Sequence, residues 1–143
     1  MSAILEWSPE LELGLGGIDD QHRQLVELTN ALRMCIGREE LGRILDALAH
    51  HTETHFREEE QLMADSGFPG LAAHQANHRA FSRRVSDARR RHGAGEWVDI
   101  SSMRLIQSWL VEHLERADRE FGAFLVAETR PRGTIARLLR RLA

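Results

Sequence analysis

The sequence predicts an all-α fold: an up-down-up-down four-helix bundle with an extended N-terminal arm and a short C-terminal helix. Apolar residues recur at three- and four-residue steps in four long stretches, which is the period of amphipathic helices. Short segments rich in glycine or proline separate these stretches, and short connections favour antiparallel neighbours. We expect one domain over residues 1–143, comprising an arm at 1–18, a bundle at about 19–128 and a tail helix at about 133–143.

The first two elements are an arm and a helix. Ser8-Pro9 and the glycines at 14, 16 and 17 oppose helix formation, so residues 1–18 are predicted to be extended. Asp19 is the expected N-cap of a first helix over about residues 20–37, and Gly37 supplies its stop signal. The apolar stripe of this helix is expected to contain Leu25, Leu28, Leu32 and Ile36.

Three further helices follow. The second is predicted over about residues 39–65 and ends before the segment SGFPG, while the third covers about 70–92 and stops at GAG. The fourth is predicted over about 99–128, with Asp99 as its N-cap. The tail TIARLLRRLA has leucines on one face and arginines on the other. We expect it to pack on the bundle, with contact to a membrane or a partner protein as the alternative.

Composition argues against several classes of protein. A chain of 143 residues with 42% hydrophobic and 29% charged residues suits a globular domain with a core rather than a disordered chain. No apolar run reaches the roughly 18 residues of a membrane span, and the N-terminus lacks the order of a signal peptide, so a cytoplasmic location is expected. The net charge of −3 argues against a nucleic-acid surface, and we interpret Arg89 to Arg91 as a solvated helix end.

Residue types that are rare or missing narrow the chemistry further. The chain has no Tyr and no Lys, which excludes tyrosyl-radical and Schiff-base chemistry. Cys35 is the only cysteine, so no intrachain disulfide can form. Its neighbours Met34 and Ile36 are apolar, and we interpret Cys35 as a small buried side chain.

Eight histidines in so short a chain need an explanation, and their spacing supplies one. His55 and Glu59 are four residues apart on the second helix, and His74 and His78 repeat this step on the third. Side chains at this step lie about 40° apart on one helix face, so both can reach one metal ion. The up-down order brings these pairs to the same end of the bundle as three further candidates, which are His22, His113 and Asp118.

The number of candidate ligands indicates the kind of metal site. Five imidazoles and two carboxylates are too many for one ion, since structural zinc takes four ligands and a mononuclear facial iron site takes three from the protein. Carboxylates can bridge two ions, and seven ligands suit two octahedral irons with one position left open. The sequence therefore predicts a non-haem di-iron site.

Four segments of the sequence closely resemble the hemerythrins, particularly single-domain bacterial ones: GLGGIDDQH, HFREEEQLM, HQANH and WLVEHLERAD. The resemblance covers about residues 7–125. It implies that Glu59 and Asp118 bridge two Fe ions. It further implies that His74, His78 and His113 hold one iron and that His22 and His55 hold the other, which keeps the vacant position for O2.

This ligand set predicts reversible O2 binding, for oxygen storage, delivery or sensing, by a binding protein rather than an enzyme. Imidazoles donate less negative charge than the four carboxylates of ferritin-like di-iron proteins, so high-valent iron is stabilised less. A dry apolar pocket would protect the bound state from proton leakage. The residues expected to line this O2 pocket are Leu25, Trp109, Leu110 and Leu114, with Leu110 as the first choice by resemblance.

One pair of candidate ligands has an unusual spacing. His113 and Asp118 are five residues apart, which is about 140° around a regular helix. Both can reach the metals only if their side chains lean in opposite directions or the helix contains a π-type bulge. Spacing alone would favour Glu120, but the family has the same five-residue step, so Asp118 is retained.

His51 departs from the family pattern, because an aromatic residue, commonly tyrosine, is expected one turn before His55. We interpret His51 as an outer contact of the site or a pocket-lining group, with an ordinary polar residue or a ligand as alternatives. Glu58 is expected to make an outer contact more readily than Glu60. His50 and His92 are assigned no role in the site.

Three other functions stay open at this point. The first is a di-iron enzyme acting on peroxide, nitric oxide or another small oxidant, with His51 as proton donor. The second is an oxygen-responsive signalling module that acts on a separate, unknown protein partner. The third is a zinc-stabilised structural bundle. Besides O2, the predicted partners are peroxide, nitric oxide or small anions at the metal centre.

Overall fold

The computed structural model describes residues 6–129, and within this range it contains helices and no strand. The α-helices are α1 (Gly16–Met34), α2 (Arg38–Ser66), α3 (Leu71–Gly93), α4 (Ile100–Glu112) and α5 (Arg119–Thr129), with a π-helical segment (His113–Asp118) between α4 and α5. The helix α4, the π-helical segment and α5 are continuous and together form the fourth long helix. The arm contains a short 3-10 helix (Pro9–Leu11) where extended chain was predicted, because Pro9 fits the first position of a helical turn. The all-α four-helix prediction is confirmed. The predicted tail helix at about 133–143 lies outside the described residues, and the assignment of the whole chain to one domain stays a prediction.

The four long helices pack in a closed order. The helix α1 lies against α2 and α4, and α3 lies against the same two neighbours. Short connections make each helix antiparallel to the next, so the start of α1, the end of α2, the start of α3 and the end of α5 share one end of the bundle. The largest fully buried apolar side chains are Phe81, Phe121, Leu25, Leu32, Leu45, Leu48, Met63, Ile106 and Leu110.

The start of α1 differs from the prediction. Asp19 is not the N-cap, because the helix already begins at Gly16. The Asp19 carboxylate instead accepts hydrogen bonds from the backbone N–H groups of Leu13, Gly14 and Leu15, at 2.8, 3.0 and 3.1 Å. Asp19 therefore folds the arm back onto the first turn of the helix, and a helix that starts with two glycines is stabilised by these contacts.

The end of α1 also differs from the prediction. The helix ends at Met34, so Ile36 lies beyond it and is 87% exposed, rather than on the apolar stripe. Met34 is 64% exposed as well, and the neighbours of Cys35 are therefore not buried. Cys35 itself is half-buried at the edge of the core, and its thiol donates to the carbonyl of Leu32 at 3.3 Å. Gly37 has φ +92°, a conformation that favours glycine.

The remaining boundaries agree with the prediction to within a residue. Gly67 ends α2 in the left-handed conformation, and the Asp99 carboxylate accepts from the Ser102 N–H at 2.9 Å, as expected of an N-cap. Among residues 6–129, no helix combines the length and the apolar character needed to cross a lipid bilayer. The arginines at 89–91 form the ion pairs Arg89–Asp46, Arg90–Asp87 and Arg91–Glu96.

The N-terminal arm lies over α1 and α5. The guanidinium of Arg23 stacks over the ring of Trp7, 5.3 Å from its centroid, and the guanidinium of Arg119 donates to the carbonyl of Glu10 at 3.3 Å. The side chain of Leu13 lies against Gly122, where an added Cβ would meet it at 2.9 Å. The arm therefore covers the end of the bundle at which the histidines converge.

Candidate metal centre

All seven predicted ligands converge at one end of the bundle, and all are buried. Their ligand atoms form two overlapping groups, within each of which the atoms lie no more than 4.8 Å from one another. We call His74, His78 and His113 the three-His set, and His22 and His55 the two-His set. Glu59 and Asp118 belong to both groups. Each of the four long helices supplies at least one of these side chains.

The two carboxylates stand between the two sets of histidines. Glu59 Oε1 lies 2.7 Å from His74 Nε2 and 3.3 Å from His78 Nε2. The other oxygen, Glu59 Oε2, lies 3.3 Å from His22 Nε2 and 3.2 Å from His55 Nε2. Each oxygen of Glu59 therefore faces a different set, which is the arrangement of a carboxylate that bridges two metal ions.

Asp118 repeats this division. Its Oδ1 lies 3.0 Å from His74 Nε2 and 3.1 Å from His113 Nε2, whereas its Oδ2 lies 3.1 Å from His22 Nε2. These short contacts lack the direction of hydrogen bonds, so neither oxygen of Asp118 is hydrogen-bonded within residues 6–129. Buried carboxylate oxygens without hydrogen bonds are costly, and a cation between the imidazoles would satisfy them.

The π-helical segment explains how Asp118 reaches the centre. It begins at His113 and ends at Asp118, so the five-residue step spans a wider turn than that of an α-helix. Of the two geometries that the spacing allowed, the helix has the π-type bulge. Asp118 is 1% exposed, whereas Glu120, which spacing alone favoured, points to solvent and takes no part in the group.

The pKa values of the cluster follow from these contacts. Burial alone would lower the pKa of His22 and His74, but the close contacts of both imidazoles with the carboxylates of Asp118 and Glu59 outweigh it and raise the two pKa values to about 9. Burial dominates at His78 and lowers its pKa. Burial would raise the pKa of Glu59 and Asp118, yet the surrounding imidazoles hold both below the usual range. Near neutral pH, metal ions would therefore displace protons from His22 and His74.

Outer contacts orient some of the imidazoles. The Nδ1 atom of His55 lies 2.8 Å from Gln21 Oε1, and the Gln21 amide also bonds to the carboxylate of Glu58. A carboxylate oxygen of Glu60 lies 3.5 Å from His78 Nδ1. Glu58 thus makes its outer contact through Gln21. Sequence reasoning missed Gln21, because a single polar residue beside His22 leaves no periodic signal.

Aromatic rings pack against the three-His set. Phe56 stacks on His78 with ring centroids 3.8 Å apart and planes inclined by 7°, and Trp109 stacks on His113 at 4.5 Å and 14°. Phe56 was also missed by sequence reasoning, since an aromatic next to His55 is typical of any helix core. The predicted pocket residues Leu25, Leu110 and Leu114 are buried, and Trp109 is partly exposed; all four belong to or pack on the apolar core.

The other histidines lie outside the group of seven. His51 is half-buried, and its one ring contact within residues 6–129 is with the exposed His50. His92 joins the end of α3 to the start of α2: its Nε2 donates to the carbonyl of Arg38 at 2.8 Å, and Arg38 donates back to the carbonyl of His92 at 2.7 Å. The predicted role of His51 as an outer contact or pocket-lining group therefore stays a prediction.

Known proteins are similar to this chain in both sequence and fold. The family described as the hemerythrin HHE cation binding domain matches residues 13–125. The bacteriohemerythrin of Stenotrophomonas maltophilia is 33% identical over 123 residues, covering 84% of this chain and 80% of that protein. The bacteriohemerythrin of Methylococcus capsulatus is 32% identical over 130 residues, covering 87% and 99%. A crystal structure of wild-type hemerythrin superposes with a TM-score of 0.78 at 32% identity, covering 86% of this chain and 98% of that one. The chain therefore belongs to the hemerythrin family.

Proposed function

We propose that this chain holds two non-haem iron ions and binds O2 reversibly, for oxygen storage, delivery or sensing. One observation carries the proposal: Glu59 and Asp118 each turn one oxygen to the three-His set and the other oxygen towards the two-His set. Family membership supports it, because O2 binding is the role of hemerythrins.

The donor atoms suit iron in both positions. Imidazole nitrogens with carboxylate oxygens are a donor set that iron accepts, whereas structural zinc sites are closed by four ligands each. One position is faced by three imidazoles and the other by two, while the carboxylates are shared. The position at the two-His set therefore has fewer protein ligands, and we propose that O2 binds on that side.

The protein residues hold the centre in a dry, rigid frame. When bound, the ferrous ions supply the electrons that reversible O2 binding requires. Leu25, Leu110 and Leu114 are at most 3% exposed and exclude water, which limits the proton transfer that would release a reduced oxygen product. Glu59 and Asp118 are held as anions, and their two charges offset part of the charge of two cations.

We propose a binding protein rather than an enzyme. The enzyme alternative depends on His51 as proton donor, and the one ring contact of His51 in the described part of the chain is with His50. Peroxide, nitric oxide and small anions are proposed as further ligands of the same centre. A cytoplasmic location, a separate protein partner and membrane contact by the tail stay predictions from the sequence.

An optical titration of the iron-loaded protein tests the proposal. Iron per chain is measured after anaerobic loading, air is admitted, and the sample is then deoxygenated. Two irons per chain and a visible band that appears in air and disappears on deoxygenation are expected. Irreversible oxidation at the first exposure to air would favour the enzyme, and a chain without iron would overturn the site assignment.

A matched pair of variants on α2 sharpens this test. His55 is 1% exposed and lies in the cluster, whereas His50, five residues earlier, is exposed. His55→Ala should lose iron and the reversible band, while His50→Ala should behave as the unaltered protein. Equal iron content in both variants would contradict the ligand role of His55.

A further inference from the structure

The amide of Gln21 connects two ligand-bearing helices. It extends from α1, where it directly precedes His22, to α2, where it bonds to both His55 and Glu58. One amide thus spans the two helices that provide the imidazoles of the two-His set. No other side chain in residues 6–129 is hydrogen-bonded to the Nδ1 atom of His55.

The direction of each hydrogen bond follows from the chemistry of the three groups. An ionised carboxylate can only accept, so the Gln21 amide nitrogen must donate to Glu58. The amide oxygen then faces His55 and accepts from its Nδ1–H, over 2.8 Å. This leaves the Nε2 lone pair of His55 free and directs it to the point where Glu59 Oε2 lies 3.2 Å away.

This support is specific to one side of the centre. The Nδ1 atoms of His22, His78 and His113 are buried without a hydrogen bond among residues 6–129, and the carboxylate of Glu60 comes no closer to His78 Nδ1 than 3.5 Å. Stacked aromatic rings hold His78 and His113 instead. Within the two-His set, His55 is therefore the one imidazole whose Nδ1 atom, on the side of the ring away from the centre, is held by a hydrogen bond.

From these contacts we propose that Gln21 is the positioning residue of the two-His set, and that its loss converts the centre from two metal ions to one. The inference rests on the proposed function. The two-His position depends on two imidazoles, so misorientation of His55 removes half of them. The three-His position has no contact with Gln21 and keeps all of its imidazoles.

The test is a metal titration of the whole chain, with ferrous iron added under anaerobic conditions and bound iron counted after desalting. The unaltered protein is expected to retain two ions per chain and the Gln21→Leu variant one, because loss of an outer contact typically weakens metal binding by about 10–100-fold. Gln24→Leu is the matched control, since Gln24 lies on the same helix and is exposed. It should retain both ions.

A reciprocal exchange separates positioning from a merely structural effect. In the double variant Gln21→Glu with Glu58→Gln, the new glutamine donates to the new glutamate, and the glutamate still accepts from His55. The double variant should bind the second ion again. In Gln21→Glu alone, two carboxylates repel each other at positions 21 and 58, so this variant should bind the second ion less tightly than the double variant. Two ions in Gln21→Leu, or one in the double variant, would overturn the inference. Failure of the unaltered chain to bind iron would instead overturn the proposed function.

Discussion

The indole of Trp109 lies nearly parallel to the imidazole of His113, with ring centroids 4.5 Å apart and planes inclined by 14°. The same indole approaches Phe81 at 4.5 Å and Phe56 at 6.3 Å. Phe56 in turn stacks on His78. Aromatic rings thus stack on two of the three imidazoles of the three-His set. In the two-His set, His22 and His55 meet each other edge to face at 4.5 Å, and Phe56 lies tilted against His55 at 5.7 Å.

Truncation of Trp109 should destabilise the bundle and loosen His113. We expect Trp109→Ala to lower the free energy of unfolding of the metal-free protein by about 2–4 kcal/mol, because it leaves a cavity in a partly buried site. Trp109→Phe should cost less, since a ring still faces His113. Urea unfolding of the metal-free chain measures both. Trp97, which is 85% exposed, provides the control, and Trp97→Ala should change stability little.

Asp118 and Glu120 form a second informative pair. Asp118→Ala removes one of the two shared carboxylates, so the protein should lose most of its bound iron. Glu120→Ala should retain two irons per chain, because this side chain is exposed. Elemental analysis after anaerobic loading measures the difference. Normal iron content in Asp118→Ala would rule out Asp118 as a bridge.

The stability of the metal-free protein should fall as the pH rises from about 6.5 to about 9. His22 and His74 have folded-state pKa values raised to about 9 from an unfolded value of 6.5. A raised pKa stabilises the folded state fully below the unfolded value, and this stabilisation is lost as the pH rises through the folded value. Glu59 and Asp118 have lowered pKa values, and their contribution is lost only at acid pH.

Chemical unfolding at several pH values between 6.5 and 9 measures this dependence. The iron-loaded protein should not show the decline, because metal-bound imidazoles are already neutral. If the free energy of unfolding changed with pH equally in the metal-free and the iron-loaded protein, the assigned protonation of His22 and His74 would be contradicted.

Leu110 should protect the O2-bound state. Leu110→Ala removes a buried apolar side chain one turn before His113, so water gains access to the interior and the protein should oxidise irreversibly at a faster rate in air. Leu48→Ala is the control, since Leu48 is equally buried but belongs to the α2 core two turns before His55. It should lower stability by about 2–5 kcal/mol without a comparable change in oxidation rate. The rate at which the visible band of the oxygenated protein disappears in air measures the oxidation of both variants.

His51 should influence the oxidation rate if it lines the site, as predicted from its place one turn before His55. We expect His51→Leu to retain two irons and to alter the decay of the oxygenated form. His50→Leu, which changes an exposed neighbour, is the control. Turnover of peroxide that disappears only in His51→Leu would favour the enzyme alternative.

Helix bounds were predictable because apolar periodicity and capping residues agree with each other along most of the chain. Asp99 caps α4 as expected, and α2 and α3 begin and end within a residue of the prediction. The start of α1 was not predictable from local rules. Glycines disfavour helix, and the compensating contacts of Asp19 become visible only in three dimensions.

The convergence of the seven side chains was predictable from their step along each helix and from the antiparallel order of the helices. The division of Glu59 and Asp118 between the two sets of histidines was an expectation from the family, because spacing alone does not say where each oxygen points. The hydrogen bond between Gln21 and His55 joins two helices, and no pattern within a single helix could have indicated it.

The π-helical segment also determines how the fourth helix tolerates changes in length. The π turn sets the rotation of α5 relative to α4, because it takes up one residue more than an α turn, and Ile106 and Leu110 before it and Phe121 after it are all buried. Deletion of the exposed Glu115 would leave a regular four-residue step and the same phase. Deletion of Ser108 within α4 would instead turn every later residue by about 100° and carry Asp118 and Phe121 away from the interior together. Loss of one residue inside the π turn is therefore absorbed locally, whereas loss of one residue within α4 disrupts both the metal centre and the core.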